Sequence, residues 1–461
     1  MTSDRAPGHP AENLSDATSE EYPPSTEEVS RRLAPFVRNL DPGAMWPGLS
    51  EGARVAAAHE IERITRAVLA GRIGEQIDPG GAHGLYALAI AGHTTGIGPL
   101  LGHWIETGIV TAAAAISARF TSYLDHSRRR AARMEREVGP ALDALAAAGI
   151  QPAVIKGFHT ARAYFAEPGL RRMADVDVLV PPERVRDAEA ALRSAGFRPD
   201  SDALHPYKRE WIGVDVDPRV FSLEWPDERS RWILELHASL DRIIHPGTVA
   251  QLDAERDCME AKMIAGRSLL VLRQPLLLLA LACHCSQELN GSRLLRLFEM
   301  VKVIRMDSAA GRFDWEEFLA MLRRTQAARF AYPALSLVEQ LAPGTVDPRV
   351  LALCRQQSTW AARHTVQRLV PAGGALDTRG LLRQIMFTRG PVAAIQCVLW
   401  ILWPAAFTTT RGVGTTWRAR LRRLRTGMQA LRAPNEREGE FIPGQPPSSA
   451  SPRVPRATRQ S

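Results

Sequence analysis

MADVDVLV, residues 173–180, alternates Asp175 and Asp177 with Val176, Val178 and Val180. Side chains two apart on a strand point the same way, so both aspartates share one face and the valines the other. A buried valine face fixes the segment as a strand. The paired carboxylates then need positive charge between them, because like charges in a shielded place repel and lose hydration. Such an Asp-x-Asp strand decides the fold class, since the texture around it is mixed.

Upstream, AVIK (153–156) is a short apolar run, broken by Gly157 and followed by FHTARAYFA, which has room for two helical turns before Pro168-Gly169. Downstream, Pro181-Pro182-Glu183 opens a helix through ERVRDAEAALRSA, closed by Gly196. A second strand-rich patch holds WIGVDVD (211–217) and WILELHASL (232–240). In ILELHAS, Ile233, Glu235 and His237 share a face, so Glu235 on a neighbouring strand supplies a third acid. Asp215 or Asp217 is the alternative third acid, although Pro218 favours a strand end or turn there.

On either side the periodicity is helical. ARVAAAHEIERITRAVL and the run from Ile109 to Ala147 repeat apolar residues every three or four positions, and Gly149 ends the second. From about Val249 the helical pattern returns, with Asp314 as an N-cap. The expected organisation is a disordered lead over 1–40, a helical region over 41–148, an α/β core over 149–245, a helical region over 246–433 and a disordered tail over 434–461. The fold class is α+β, a short mixed sheet set between helical regions.

Four lysines, Lys156, Lys208, Lys262 and Lys302, stand against 58 basic residues in all, so 58 − 4 = 54 are arginines. That bias makes the net charge of +8 a general tilt towards anions rather than a nucleic-acid signature. Five scattered cysteines argue against a disulfide framework and for a reducing cytosol, and the Ser/Pro/Glu-rich start carries no apolar signal core. Cys283-His284-Cys285 is no chelate, because consecutive helical residues point about 100° apart. GPVAAIQCVLWILWPAAF (390–407) is apolar, yet Pro391, Gln396 and Pro404 interrupt it and a buried helix is expected rather than a stable membrane span. TTWRARLRRLRTGMQALRA (415–433) reads as a basic amphipathic helix that covers its own core or meets a membrane or RNA partner.

Three converging acids point to hard divalent cations, which take oxygen ligands and leave positions open for phosphate. Residues 153–197, AVIKGFHTARAYFAEPGLRRMADVDVLVPPERVRDAEAALRSAGF, resemble the LKG…R…SDIDLLV…GF signature of an uncharacterised bacterial nucleotidyltransferase family. WILELHASL is similar to that family's ELHW-type strand, with Ala-Ser in place of its aromatic. LLLLALACHCSQEL and SRLLRLFEMVKVIR resemble its later helices, one bearing a histidine and one an acid. The resemblance implies the minimal nucleotidyltransferase fold of the DNA polymerase β type, with Mg²⁺, two ions, held by Asp175, Asp177 and Glu235. It implies transfer of a nucleoside monophosphate from a nucleoside triphosphate to an unknown acceptor, a small molecule, peptide, protein or RNA end. Glu235 would also help deprotonate the acceptor hydroxyl.

The wider superfamily uses Gly-Ser before its aspartates, whereas this chain has Gly157-Phe158, so Lys156 and Gly157, supported by Arg172, are expected to hold the triphosphate. Arg171 is the other arginine beside the metal strand. His237 is expected to hydrogen-bond structurally or to orient a ligand, while His159 and Thr160 begin the helix after Gly157. The alternative reading is a catalytically inactive nucleotide-binding scaffold, attached to membranes through its C-terminal region. Asp177→Asn is expected to leave the metal-free fold intact or slightly firmer, by removing like-charge repulsion.

Overall fold

The computed structural model describes residues 31–32, 45–46, 48–78, 80, 84–200, 208–213, 228–245, 248–289, 293–373 and 384–402. The expected disordered lead, apart from Arg31 and Arg32, which are helical, the expected tail, the amphipathic segment 415–433, and Asp215 and Asp217 lie outside the described residues.

Among the described residues, four helices of full length precede the sheet: α1 (Glu51–Leu69), α2 (Gly84–Thr95), α3 (Gly98–Glu106) and α4 (Ala114–Ala147). At 34 residues α4 is about 51 Å long, enough to serve two cores. Its first half places Ile116, Phe120 and Leu124 among the N-terminal helices. Its second half places Met134, Val138 and Leu142 under the sheet. Gly149 follows the helix at φ 70°, a conformation that suits a residue without Cβ.

The sheet elements are β1 (Ala153–Ile155), β2 (Asp175–Leu179), β3 (Phe197–Pro199), β4 (Lys208–Gly213) and β5 (Ile233–His237). A side hairpin of β6 (Arg242–His245) and β7 (Thr248–Ala250) follows, then β8 (Met259–Ile264) and β9 (Arg267–Leu272) rejoin the main sheet. Its order is β8-β9-β1-β2-β5-β4-β3, mixed, with β2 parallel to β5 and antiparallel to β1. Helices α5 (Gly157–Ala163) and α6 (Val185–Ser194) connect the strands. The sheet therefore runs to Leu272, and helical structure resumes at Leu276 rather than near Val249.

Alternation in β2, β4 and β5 sends Val176, Val178, Trp211, Leu234 and Leu236 to one face, where they pack with α4 and α6. The opposite face carries the acids. It looks towards the larger core, which takes in Ile155, Leu179 and Leu272 and the helices α7 (Leu276–Gln287), α8 (Arg293–Ala309), α9 (Trp315–Arg324) and α10 (Ala328–Leu341). Asp314 caps α9, its carboxylate accepting from the backbone N–H groups of Glu316 and Glu317. Helices α11 (Pro348–Gln357), α12 (Trp360–Arg368) and α13 (Gly390–Leu402) complete thirteen helices among the described residues, and the fold is α+β. None of those helices is long and apolar enough to cross a membrane.

Candidate active site

Register builds the site. In the parallel pair of β2 and β5, Asp177 lies opposite Glu235, Asp175 opposite Ile233 and Leu179 opposite His237. Side chains in such register share a face, so Asp177, Glu235 and His237 meet. One ligand atom from each lies within 4.8 Å of the others. His237 Nε2 is 2.9 Å from Asp177 Oδ1 and 3.1 Å from Glu235 Oε2. On β1, Ile155 pairs with Asp177, and the next residue, Lys156, donates from its ammonium to the same Asp177 Oδ1. On β4, Lys208 pairs with His237 and reaches Glu235 Oε1 at 2.5 Å.

The site thus answers the question its sequence raises: two ammonium groups and an imidazole lie among the carboxylates. Burial opposes ionisation of Asp177, yet Lys156 and His237 outweigh it and hold its carboxyl well below the usual range. Glu235 resists the same burial through His237 and Lys208 and is pushed down to about 2. Asp175 goes the other way. Burial, then the charges of Asp177 and Glu235, push it up to about 7. Around Lys208, burial favours the neutral amine, but Glu235 overrides it and raises the ammonium's pKa.

Lys156 has φ 58° and ψ −129°, a conformation L-residues avoid. That backbone turns the chain sharply from β1 into α5 and leaves the lysine only 5% exposed. Gly157 is demanded by a neighbour: a Cβ there would meet the Arg171 guanidinium, its Cζ at 2.9 Å. Arg171 grips the buried Glu299 of α8 in a fork, Nε to Oε1 at 2.7 Å and Nη2 to Oε2 at 3.0 Å. Thr160 donates its hydroxyl to Glu299 as well. The turn after β1, the segment before β2 and α8 are locked together by these contacts.

Arg172 donates to the His93 carbonyl oxygen at 2.8 Å, at the end of α2. His159 is buried with both ring nitrogens lacking hydrogen-bond partners among the described residues, and burial lowers it to about 4. On the helical side of the site the sequence signalled His284 only through the resemblance of its helix to the family's, and Arg296 not at all. Burial, reinforced by Lys156, Arg296 and Arg242, holds His284 of α7 well below the imidazole range. Arg296 of α8 donates to Glu288 at 2.8 Å, and Glu288 and Asp175 outweigh burial to keep it charged. Lys208 carried one signal, being one of four lysines in an arginine-rich chain. Cys283 and Cys285 flank His284, but burial pushes their thiols up to about 12 and about 11, so they stay protonated.

Two ionised carboxylates beside an imidazole nitrogen are a donor set that fits a divalent cation. For the imidazole to join, Nε2 would have to offer its lone pair, and a cation at Asp177 would compete with Lys156 for the same oxygen.

The family model described as "Uncharacterised nucleotidyltransferase" matches residues 84–343, more than half of the chain. No curated protein and no solved structure matches it.

Proposed function

The chain belongs to the uncharacterised nucleotidyltransferase family, and on that premise we propose that it moves a nucleoside monophosphate from a nucleoside triphosphate to an acceptor hydroxyl. The observation that carries the reading is the in-register pairing of Asp177 with Glu235, beside Asp175, on one sheet face. Asp175, Asp177 and Glu235 would hold Mg²⁺, two ions in the full reading, and His237 would widen the choice to softer ions such as Mn²⁺. Bound there, the metal would supply charge neutralisation for the triphosphate and Lewis-acid activation for in-line displacement.

The protein's own groups do the rest. Lys156, displaced from Asp177, has the charge and the position to take up a triphosphate oxygen, with the Gly157 turn beside it and Arg172 in support. Glu235 accepts the proton of the acceptor hydroxyl as the new oxygen–phosphorus bond forms. The bond from the α-phosphorus to the bridging oxygen breaks, and pyrophosphate leaves. Five free cysteines among the described residues support a place in the cytosol.

One observation favours a second reading, an inactive nucleotide-binding scaffold: Lys156 and Lys208 already neutralise Asp177 and Glu235. Incubating the protein with each nucleoside triphosphate, Mg²⁺ and cell extract separates the two. Transfer predicts an extract component heavier by one nucleoside monophosphate; the scaffold reading predicts none.

A further inference from the structure

A cavity lies apart from the carboxylate cluster. It holds about 420 Å³ between the end of α1, α3, the segment after α5 and α8. Such a volume is ordinary for a small-molecule pocket. Its walls are apolar, with Trp104, Phe165 and Phe298 forming a tilted aromatic set whose centroids are 5.6 Å (Trp104–Phe298) and 6.3 Å (Phe165–Phe298) apart.

Three cationic or basic side chains join that lining, and no carboxylate does. Arg305 is committed, donating to the Leu69 carbonyl oxygen at 2.6 Å. His103 has a buried Nδ1 with no hydrogen-bond partner among the described residues. Lys302 is half-buried, its ammonium 5.8 Å from the centre of the Phe165 ring, and it makes no ion pair among the described residues. Burial lowers its pKa, the mark of a cation short of compensation. The neighbouring acid Glu106, one turn beyond His103, is already held by Arg128 at 2.9 Å. In a chain with four lysines, two serve the catalytic face and this one edges an apolar cavity.

We propose that this cavity binds an apolar monocarboxylate, a medium-chain acyl or arylalkyl acid, with its chain among Trp104, Phe165 and Phe298 and its carboxylate on Lys302. The pairing is chemical. A partly desolvated ammonium with no counter-charge gains most from a carboxylate, and three aromatic walls gain most from hydrocarbon. Neutral ligands would leave Lys302 as it is. Polyanions would bring charge that one lysine and a constrained arginine cannot meet. The inference stands whether or not nucleotidyl transfer is the activity, because none of the three rings, nor Lys302, belongs to the carboxylate face.

Titration calorimetry on the full chain tests it, with octanoate below its micellar range as probe and octan-1-ol as the uncharged control. The expected result is saturable binding of one octanoate per chain, weakened about tenfold or more in Lys302→Met and within a few-fold of wild type in Lys302→Arg. Octanol should bind more weakly and respond little to the substitution. Lys302→Gln, checked for folding by circular dichroism, replaces the methionine variant if that one fails to fold. Equal octanoate affinity in wild type and the uncharged variant, octanol binding as tightly as octanoate, or no octanoate binding at all would each overturn the proposal.

Discussion

Asp177→Asn changes the sign of its expected effect once the structure is known. From the sequence, removing one of two adjacent carboxylates relieves repulsion and leaves the fold as firm or firmer. In the structure Asp177 is 3% exposed and pairs with Lys156, itself 5% exposed. Removing one partner of a buried ion pair typically costs about 3–5 kcal/mol, because the other charge is left uncompensated. The asparagine carbonyl still accepts one hydrogen bond from Lys156, which restores about 1 kcal/mol. Glu235 keeps Lys208 and His237, so little further relief comes from it. The net expectation is a loss of about 2–4 kcal/mol, a shift of about 30- to 900-fold in the folded-to-unfolded ratio. Urea unfolding at pH 7 in a metal chelator measures it, as a lower midpoint with an unchanged slope. Lys156→Met in the same chain should recover most of the loss by removing the stranded ammonium. A single variant as stable as wild type, or a double variant no firmer than the single, would refute the reasoning.

Lys156→Met alone should lower stability, because it leaves the buried Asp177 carboxylate with His237 as its remaining partner. Of the about 2–5 kcal/mol in its contact with the triphosphate, part should show as lost nucleotide affinity, with arginine rescuing only some of it, read by nucleotide titration at fixed Mg²⁺. Gly157→Ala should push the Arg171 guanidinium off its place and destabilise by about 1–3 kcal/mol, measured by thermal unfolding; a neutral result would mean that Arg171 moves freely. Glu299→Gln should weaken the clamp from α8 to Arg171 and cost stability by about 3 kcal/mol, again by unfolding. For pH, His159 has its folded pKa depressed to about 4 against 6.5 unfolded. The unfolded chain therefore binds a proton first, and stability falls as pH drops from 6.5 towards 4, by about 3 kcal/mol at roughly 1.4 kcal/mol per unit. His159→Leu should flatten that acid limb in a pH series of unfolding midpoints.

Much of the fold could be read because its signals are local. Val176 and Val178 against Asp175 and Asp177 set the face of β2, and Ile233, Glu235 and His237 set that of β5. Proline and glycine marked the ends of α6, and Asp314 marked the start of α9. The β8–β9 hairpin escaped, being read as helix, although its turn at Ala265-Gly266 has φ 52° and 73°, the paired positive values of a two-residue hairpin. Gly266 was the available signal. Contacts such as Arg171–Glu299, 128 residues apart, leave no periodic trace. The pairing of Lys156 with Asp177 left no trace in the sequence, because it depends on a neighbour across the sheet. The same holds for Lys208, His284 and Arg296, which reach the site through strand pairing and helix packing rather than through spacing.

The central claim is that the face of Asp175, Asp177 and Glu235 breaks a triphosphate between its α- and β-phosphates. Parallel reactions with α-labelled and γ-labelled nucleoside triphosphate test it directly, in Mg²⁺ and cell extract, for wild type, Asp175→Asn and Glu235→Gln. The account predicts α-label in an acceptor, γ-label in pyrophosphate, and loss of both in the folded variants. Label from the γ-position in the acceptor, or undiminished α-transfer by both variants, would contradict it.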